Sequence, residues 1–132
     1  MDAFEVIGGK RLSGEITPQG EITPQGAKNE ALQIISAVLL TSEPVTIANI
    51  PNILDVNRLM ELLKGLSVKI EKLATDTFRF QADDIDLDFF QSPEFQKNAQ
   101  RIRGSVMLIG PLLARFGKAY LPNPGGDKIG RR

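Results

Sequence analysis

Apolar residues follow two rhythms along this chain. From Ala27 to Leu40 they fall at Ala31, Leu32, Ile34, Ile35, Ala37, Val38, Leu39 and Leu40. That is wider than one amphipathic stripe and predicts a helix buried on most sides. Thr41-Ser42-Glu43-Pro44 stops it, and Val45 to Ile50 then alternates as a strand does. Leu59, Leu62, Leu63 and Leu66 repeat at helical spacing, predicting an amphipathic helix from Val56 to Leu66, capped by Asp55 and lying on the outside. Val68 to Leu73 and Thr77 to Gln81 predict a hairpin around Ala74-Thr75-Asp76. A third helix is predicted from Phe95 to Phe116, kinked at Pro111 and ended by Gly117, with Lys118 to Leu121 returning as a strand. Ahead of all these, Phe4 to Ile7 and Leu12 to Thr17 read as short strands closed by Gly8-Gly9 and Pro18. The order β, β, α, β, α, β, β, α, β predicts a mixed α/β class in which helices cover sheets.

One feature breaks the pattern. Gly14-Glu15-Ile16-Thr17-Pro18-Gln19 recurs unchanged as Gly20-Glu21-Ile22-Thr23-Pro24-Gln25. Two six-residue units are too few and too short for a solenoid. A duplication, an engineered insertion and a sequence error are all compatible with it. Pro18 and Pro24 cannot both sit inside a ladder, so one copy is expected to loop out.

Composition narrows the chemistry. The length of 132 residues fits one domain or part of a larger one. Sixteen basic residues balance sixteen acidic ones, so no general field draws the chain to nucleic acid or to an anionic membrane. The absence of cysteine and histidine excludes disulfides, thiolate or imidazole metal sites, a cysteine nucleophile and a Ser-His triad. No secretory signal pattern and no apolar run of membrane-spanning length is present, so a cytoplasmic location is expected.

Two stretches carry candidate chemistry. In Gly26-Ala27-Lys28-Asn29-Glu30 a glycine turn leads straight into the first helix. Unpaired N–H groups at a helix start attract anions, and a lysine with a carboxamide there makes a compact phosphate or carboxylate site. A solvated lysine at an ordinary helix start is the other reading. The second stretch is Pro124-Gly125-Gly126-Asp127-Lys128-Ile129-Gly130-Arg131-Arg132. Its glycines allow close backbone approach, and a carboxylate among cations stays charged yet available as an acid or a base. A basic loop at a chain end is the alternative. Arg103, on a mostly apolar helix, reads by itself as a snorkelling or ion-paired side chain. Asp83, Asp84, Asp86 and Asp88 lack the glycine and terminal glutamate of an EF-hand and read as a solvated acidic loop, not a metal site.

Gly26-Ala27-Lys28-Asn29, Arg103-Gly104-Ser105 with Gly110-Pro111-Leu112-Leu113-Ala114-Arg115-Phe116-Gly117, and the segment from Pro124 to Arg132 occur in that order and spacing. Together they resemble the N-terminal part of the UDP-N-acetylglucosamine 1-carboxyvinyltransferase (enolpyruvyl-UDP-GlcNAc synthase) family. The resemblance covers the whole chain apart from the repeated hexapeptide. The sister shikimate-pathway transferase family has a lysine-serine pair at the first motif, which Lys28-Asn29 does not match.

This resemblance implies an incomplete α/β (α+β) fold: a βαβαββ-repeat unit of the enolpyruvyl transferase-type inverse α/β barrel. Residues 1–25 would be N-terminal strands belonging to the other domain, and residues 26–132 the first part of the catalytic domain. It implies transfer of enolpyruvyl from phosphoenolpyruvate to the 3′-hydroxyl of UDP-N-acetylglucosamine, the first committed step of bacterial peptidoglycan synthesis, without a cofactor. By position, Lys28 and Asn29 would contact phosphoenolpyruvate and the sugar nucleotide. Arg103 and Arg132 would bind the anionic groups of UDP-N-acetylglucosamine, and Asp127 would be the loop proton donor. Most members carry a reactive cysteine where Asp127 stands, so loss of fosfomycin alkylation is implied. Members of the family are several times longer. A sugar-hydroxyl base and a further arginine would lie outside these 132 residues, and the chain alone would be inactive and open-edged, prone to self-association. The competing expectation is a stand-alone anion- or nucleotide-binding module without catalysis.

Overall fold

The computed structural model describes residues 24–122, together with residues 5, 7–9 and 11. Helix α1 (Lys28–Ala37) tightens into a 3₁₀ turn (Val38–Leu40) and leads to strand β1 (Val45–Ile47). Helix α2 (Leu54–Gly65), strands β2 (Lys69–Lys72) and β3 (Phe78–Gln81), and a 3₁₀ turn (Asp88–Gln91) follow. Helix α3 (Pro93–Gln100), a 3₁₀ segment (Arg103–Leu108) and helix α4 (Ile109–Phe116) complete the order. The run α1-β1-α2-β2-β3 is a βαβαββ unit less its first strand. The expected strands at 4–7 and 12–17 and the first hexapeptide copy fall on residues outside this description, wholly or nearly so, as do Asp127 and Arg132.

The sheet has the order β1-β3-β2, with β3 antiparallel to both neighbours. Register sorts its faces. Val45, Phe80 and Ile70 align across the three strands and point to the core, while Thr46, Arg79 and Glu71 align on the other face. Arg79 Nη1 pairs with Glu71 Oε2 at 3.3 Å on that polar face. The β2–β3 hairpin closes through the Leu73 and Ala74 amides, both donating to Thr77 O, as the sequence predicts.

Helix burial departs from expectation. Helix α2 is the central element, packed against α1, α3, β2 and the 3₁₀ segment, with Val56, Leu59, Leu62 and Leu63 fully enclosed. Helix α1 is instead one-sided: Ala31, Leu32 and Ile35 are buried, but Ile34 remains 44% exposed. A count of apolar residues records a helix's capacity for burial, whereas its partners decide how much is used. The cap also differs. Asp55 lies in the first turn of α2, whose N-cap is Ile53, and makes no capping bond; its carboxylate acts on the helix dipole and on a lysine instead.

The predicted long third helix is two helices. The break falls at Arg101-Ile102, not at Pro111. Pro111 is the third residue of α4, in its first turn, where proline is tolerated better than in a helix interior. Ser105 explains the break. Its buried hydroxyl shares its one hydrogen between Ile102 O at 2.8 Å and Ala99 O, near the end of α3, at 3.0 Å. Gly117, at φ 66°, closes α4 as the sequence predicts. Lys118 to Leu121 keeps the alternation expected of a strand, with Ala119 and Leu121 half-buried, but it has no ladder partner among the described residues.

Between β3 and α3, Phe95 is met edge-on by Phe89 and Phe90, at 5.7 and 5.0 Å between ring centroids. Gly65 makes room for Phe89: a Cβ there would lie 2.3 Å from the ring. The acidic residues here have local work. Asp86 accepts from the Asp88 and Phe89 amides, and Asp83 bonds Lys69 Nζ at 2.6 Å. That hydrogen bond is the main reason the Asp83 carboxyl is held below the usual aspartate range. Among the described residues no helix is long and apolar enough to cross a membrane, and no group of three or more acidic or metal-ligating residues is placed to hold a metal ion.

Arg115 ties the layers together. Its Nη1 reaches Leu39 O at 3.0 Å, Thr41 O at 2.8 Å and Ala82 O at 2.7 Å, and its guanidinium lies 4.8 Å from the Phe116 ring centroid. Two hydrogens thus serve three carbonyls: two at the end of α1 and its 3₁₀ turn, one just past β3. Replacing Arg115 by methionine is expected to cost about 2–3 kcal/mol, since charge-assisted bonds to half-buried carbonyls are lost together. A urea unfolding midpoint unchanged by Arg115→Met would contradict this role.

Candidate functional site

The site is built where the N-termini of α1 and α2 meet. Ala27 is the N-cap of α1, and its methyl supplies no acceptor, so among the described residues no side chain caps the amides of the first turn. Lys28 and Asn29 are the first two residues of that helix, and both are exposed. The helix start is therefore open to an anion, with an ammonium and a carboxamide at its rim.

Lys28 is not solitary. Its Nζ lies 3.1 Å from Asp55 Oδ2 in the first turn of α2, with the two side chains 52% and 37% exposed. Among the described residues one of three ammonium donors is engaged. Asp55 neutralises Lys28 in the absence of a ligand and offsets two positive helix ends packed side by side. The sequence named Asp55 as a cap; its pairing across 27 residues carries no local signature.

The turn before α1 is held from outside. Gly26 N–H donates to Asn49 Oδ1 at 3.1 Å, and a Cβ on Gly26 would lie 2.1 Å from Asn49 O. Only glycine fits that approach. A shallow cavity of about 100 Å³ opens beside it, lined in part by Gly26, Ala27, Glu30 and Asn49.

Arg103 begins the 3₁₀ segment that packs on α1, with an exposed side chain and no carboxylate partner among the described residues. The next residue, Gly104, is pressed against Leu32, one helical turn beyond Lys28; a Cβ there would lie 3.0 Å from Leu32 Cδ1. The fold thus brings the Arg103 segment to the helix that starts with Lys28 and Asn29. Asp127 and Arg132 lie outside the described residues. A cavity of about 690 Å³ between Phe90, Gln96, Leu113 and Tyr120 does not have Lys28, Asn29 or Arg103 among its lining residues.

Fold and site together define an α/β unit of the enolpyruvyl transferase type. The chain belongs to the EPSP synthase (3-phosphoshikimate 1-carboxyvinyltransferase) family, whose model matches residues 8–132. It is 55% identical over 132 residues to the UDP-N-acetylglucosamine 1-carboxyvinyltransferase of Bacteroides thetaiotaomicron, covering all of this chain and 29% of that protein. The protein of the same name from Porphyromonas gingivalis is 52% identical, with the same coverage. Among solved structures, the enolpyruvyl transferase NikO from Streptomyces tendae matches with a TM-score of 0.60 and 28% identity, over 70% of this chain and 21% of that one. The chain spans about 29% of the length of these two curated relatives.

Half-exposed ion pairs contribute little to folding. A double-mutant cycle of Lys28→Ala and Asp55→Ala is expected to give a coupling of about 0.2–1 kcal/mol, smaller at high salt. A coupling above about 2 kcal/mol would show instead that the pair is a principal support of the fold.

Proposed function

We propose that this chain supplies the first part of an enzyme that transfers enolpyruvyl from phosphoenolpyruvate to the 3′-hydroxyl of UDP-N-acetylglucosamine. The transfer releases phosphate and opens peptidoglycan synthesis in a bacterial cytoplasm. The observation that carries the reading is the uncapped start of α1 with Lys28 and Asn29 at its rim. Support comes from the relatives 52–55% identical over the whole chain, whose name specifies this acceptor. The family description alone names the shikimate acceptor.

In this reading the sugar hydroxyl oxygen adds to C2 of phosphoenolpyruvate, its proton passing to a base outside these 132 residues, while the C3 methylene gains a proton. Loss of that proton and of phosphate then restores the double bond. Lys28 and Asn29 bind phosphoenolpyruvate, and the ammonium with the first-turn amides offsets phosphate charge. Arg103 and Arg132 hold anionic groups of the sugar nucleotide. Asp127 delivers the proton to the methylene carbon. Residues 1–25 belong to a neighbouring domain, and residues 26–132 begin the catalytic one.

The test is phosphate release by the protein expressed from the whole reading frame that encodes the chain. Release is expected only with phosphoenolpyruvate and UDP-N-acetylglucosamine together, and Lys28→Ala should lower it by about 100-fold or more. Activity with shikimate 3-phosphate in place of the sugar nucleotide would overturn the assignment. Fosfomycin is expected to leave that protein active and unmodified at position 127, because a carboxylate lacks the soft nucleophilicity of a thiolate. A fosfomycin adduct on Asp127 in the mass spectrum would refute this.

A further inference from the structure

Asn49 sits just beyond β1, 23 residues from Gly26, and belongs to none of the motifs that suggest chemistry. Its backbone is left-handed, at φ 58°, a conformation asparagine tolerates better than most residues. That conformation accompanies two contacts with the turn leading into α1. The side-chain oxygen accepts the Gly26 amide at 3.1 Å, and the main-chain oxygen fills the space a side chain at position 26 would need. The loop is itself anchored. Ile50 N–H donates to Asp76 O in the β2–β3 turn at 2.8 Å, and Ile50 and Pro51 are buried. Six residues after Asn49, Asp55 holds the Lys28 ammonium. One short segment therefore grips both the backbone before the site and its lysine.

We propose that Asn49 is a positioning residue for the phosphoenolpyruvate-binding turn, fixing the path of Gly26 so that Lys28, Asn29 and the first-turn amides of α1 converge on one anion. This rests on the function proposed above. The bond joins two exposed groups and adds nothing to the apolar core, so its removal affects folding little. Its consequence is the direction in which the helix start faces. Only asparagine and aspartate combine tolerance of the left-handed backbone with a short side-chain acceptor, and aspartate would add a negative charge beside an anion site.

The experiment is amide NMR on the protein expressed from the whole reading frame that encodes the chain, combining hydrogen exchange at Gly26 with a phosphoenolpyruvate titration followed at Lys28 and Asn29. Asn49→Gly keeps the backbone conformation and deletes the acceptor. It is expected to speed Gly26 exchange about tenfold and weaken phosphoenolpyruvate binding about fivefold, with the melting temperature within a few degrees. Asn49→Asp should retain slow Gly26 exchange. Gly26→Ala, which forces the same contact apart, should reproduce the weakened binding. Binding that is abolished by Lys28→Ala yet unchanged in Asn49→Gly would overturn the positioning role alone. Binding indifferent to Lys28→Ala, or no response at Lys28 and Asn29 in the unaltered chain, would overturn the site reading and the proposal with it.

Discussion

The enclosure of α2 is the constraint on which the rest depends. Val56, Leu59, Leu62, Leu63 and Leu66 exclude water between α1, α3 and the sheet, and each is worth roughly 1.5–3 kcal/mol when fully buried. Because α1 and α2 both lie on that core and are joined through β1, their N-termini end up side by side. Two positive helix ends joined by the Lys28–Asp55 pair oppose one another. Asp55 relieves part of that opposition, and an anion at the start of α1 would relieve more. The charge balance of the site thus follows from a packing decision.

Local patterns were read well where neighbours confirm them. The β2–β3 hairpin has alternating apolar positions and a polar turn, and the fold supplies a partner for each strand. Gly117 stops α4 because only a residue at ease with positive φ closes that turn. Pattern and structure part where the outcome depends on distant chain. Helix α1 carries more apolar residues than one face needs, yet Ile34 stays 44% exposed, while the apolar face of α2 is packed by α1, α3, β2 and the 3₁₀ segment. The apolar run from Phe95 to Phe116 hides a break because Ser105 supplies hydrogen bonds that no hydropathy pattern records.

The site was legible in part for the same reason. Lys28 and Asn29 follow a glycine and open a helix, a local arrangement with a physical meaning. Asn49 and Asp55 act on that arrangement from 23 and 27 residues away, and sequence shows only a polar residue after a strand and an acid near a helix start. Arg115 falls within a motif that carries the family resemblance, but its carbonyl partners are 33 to 76 residues distant. Side chains that hold other groups in place are the least visible in a sequence, because their partners define them.

The Arg115 tie also sets an order of events during synthesis. Leu39 leaves the ribosome 76 residues before the guanidinium that will bind its carbonyl. At about 5–20 residues per second, the wait is roughly 4–15 s. Through that interval the 3₁₀ turn after α1 must leave this carbonyl without its guanidinium partner, and Ala82, made 33 residues before Arg115, waits through the last part of it. Closure across so long a stretch of chain carries an entropic cost and comes late. The tie is therefore among the last contacts this part of the chain can make, because it waits for Arg115 to be synthesised.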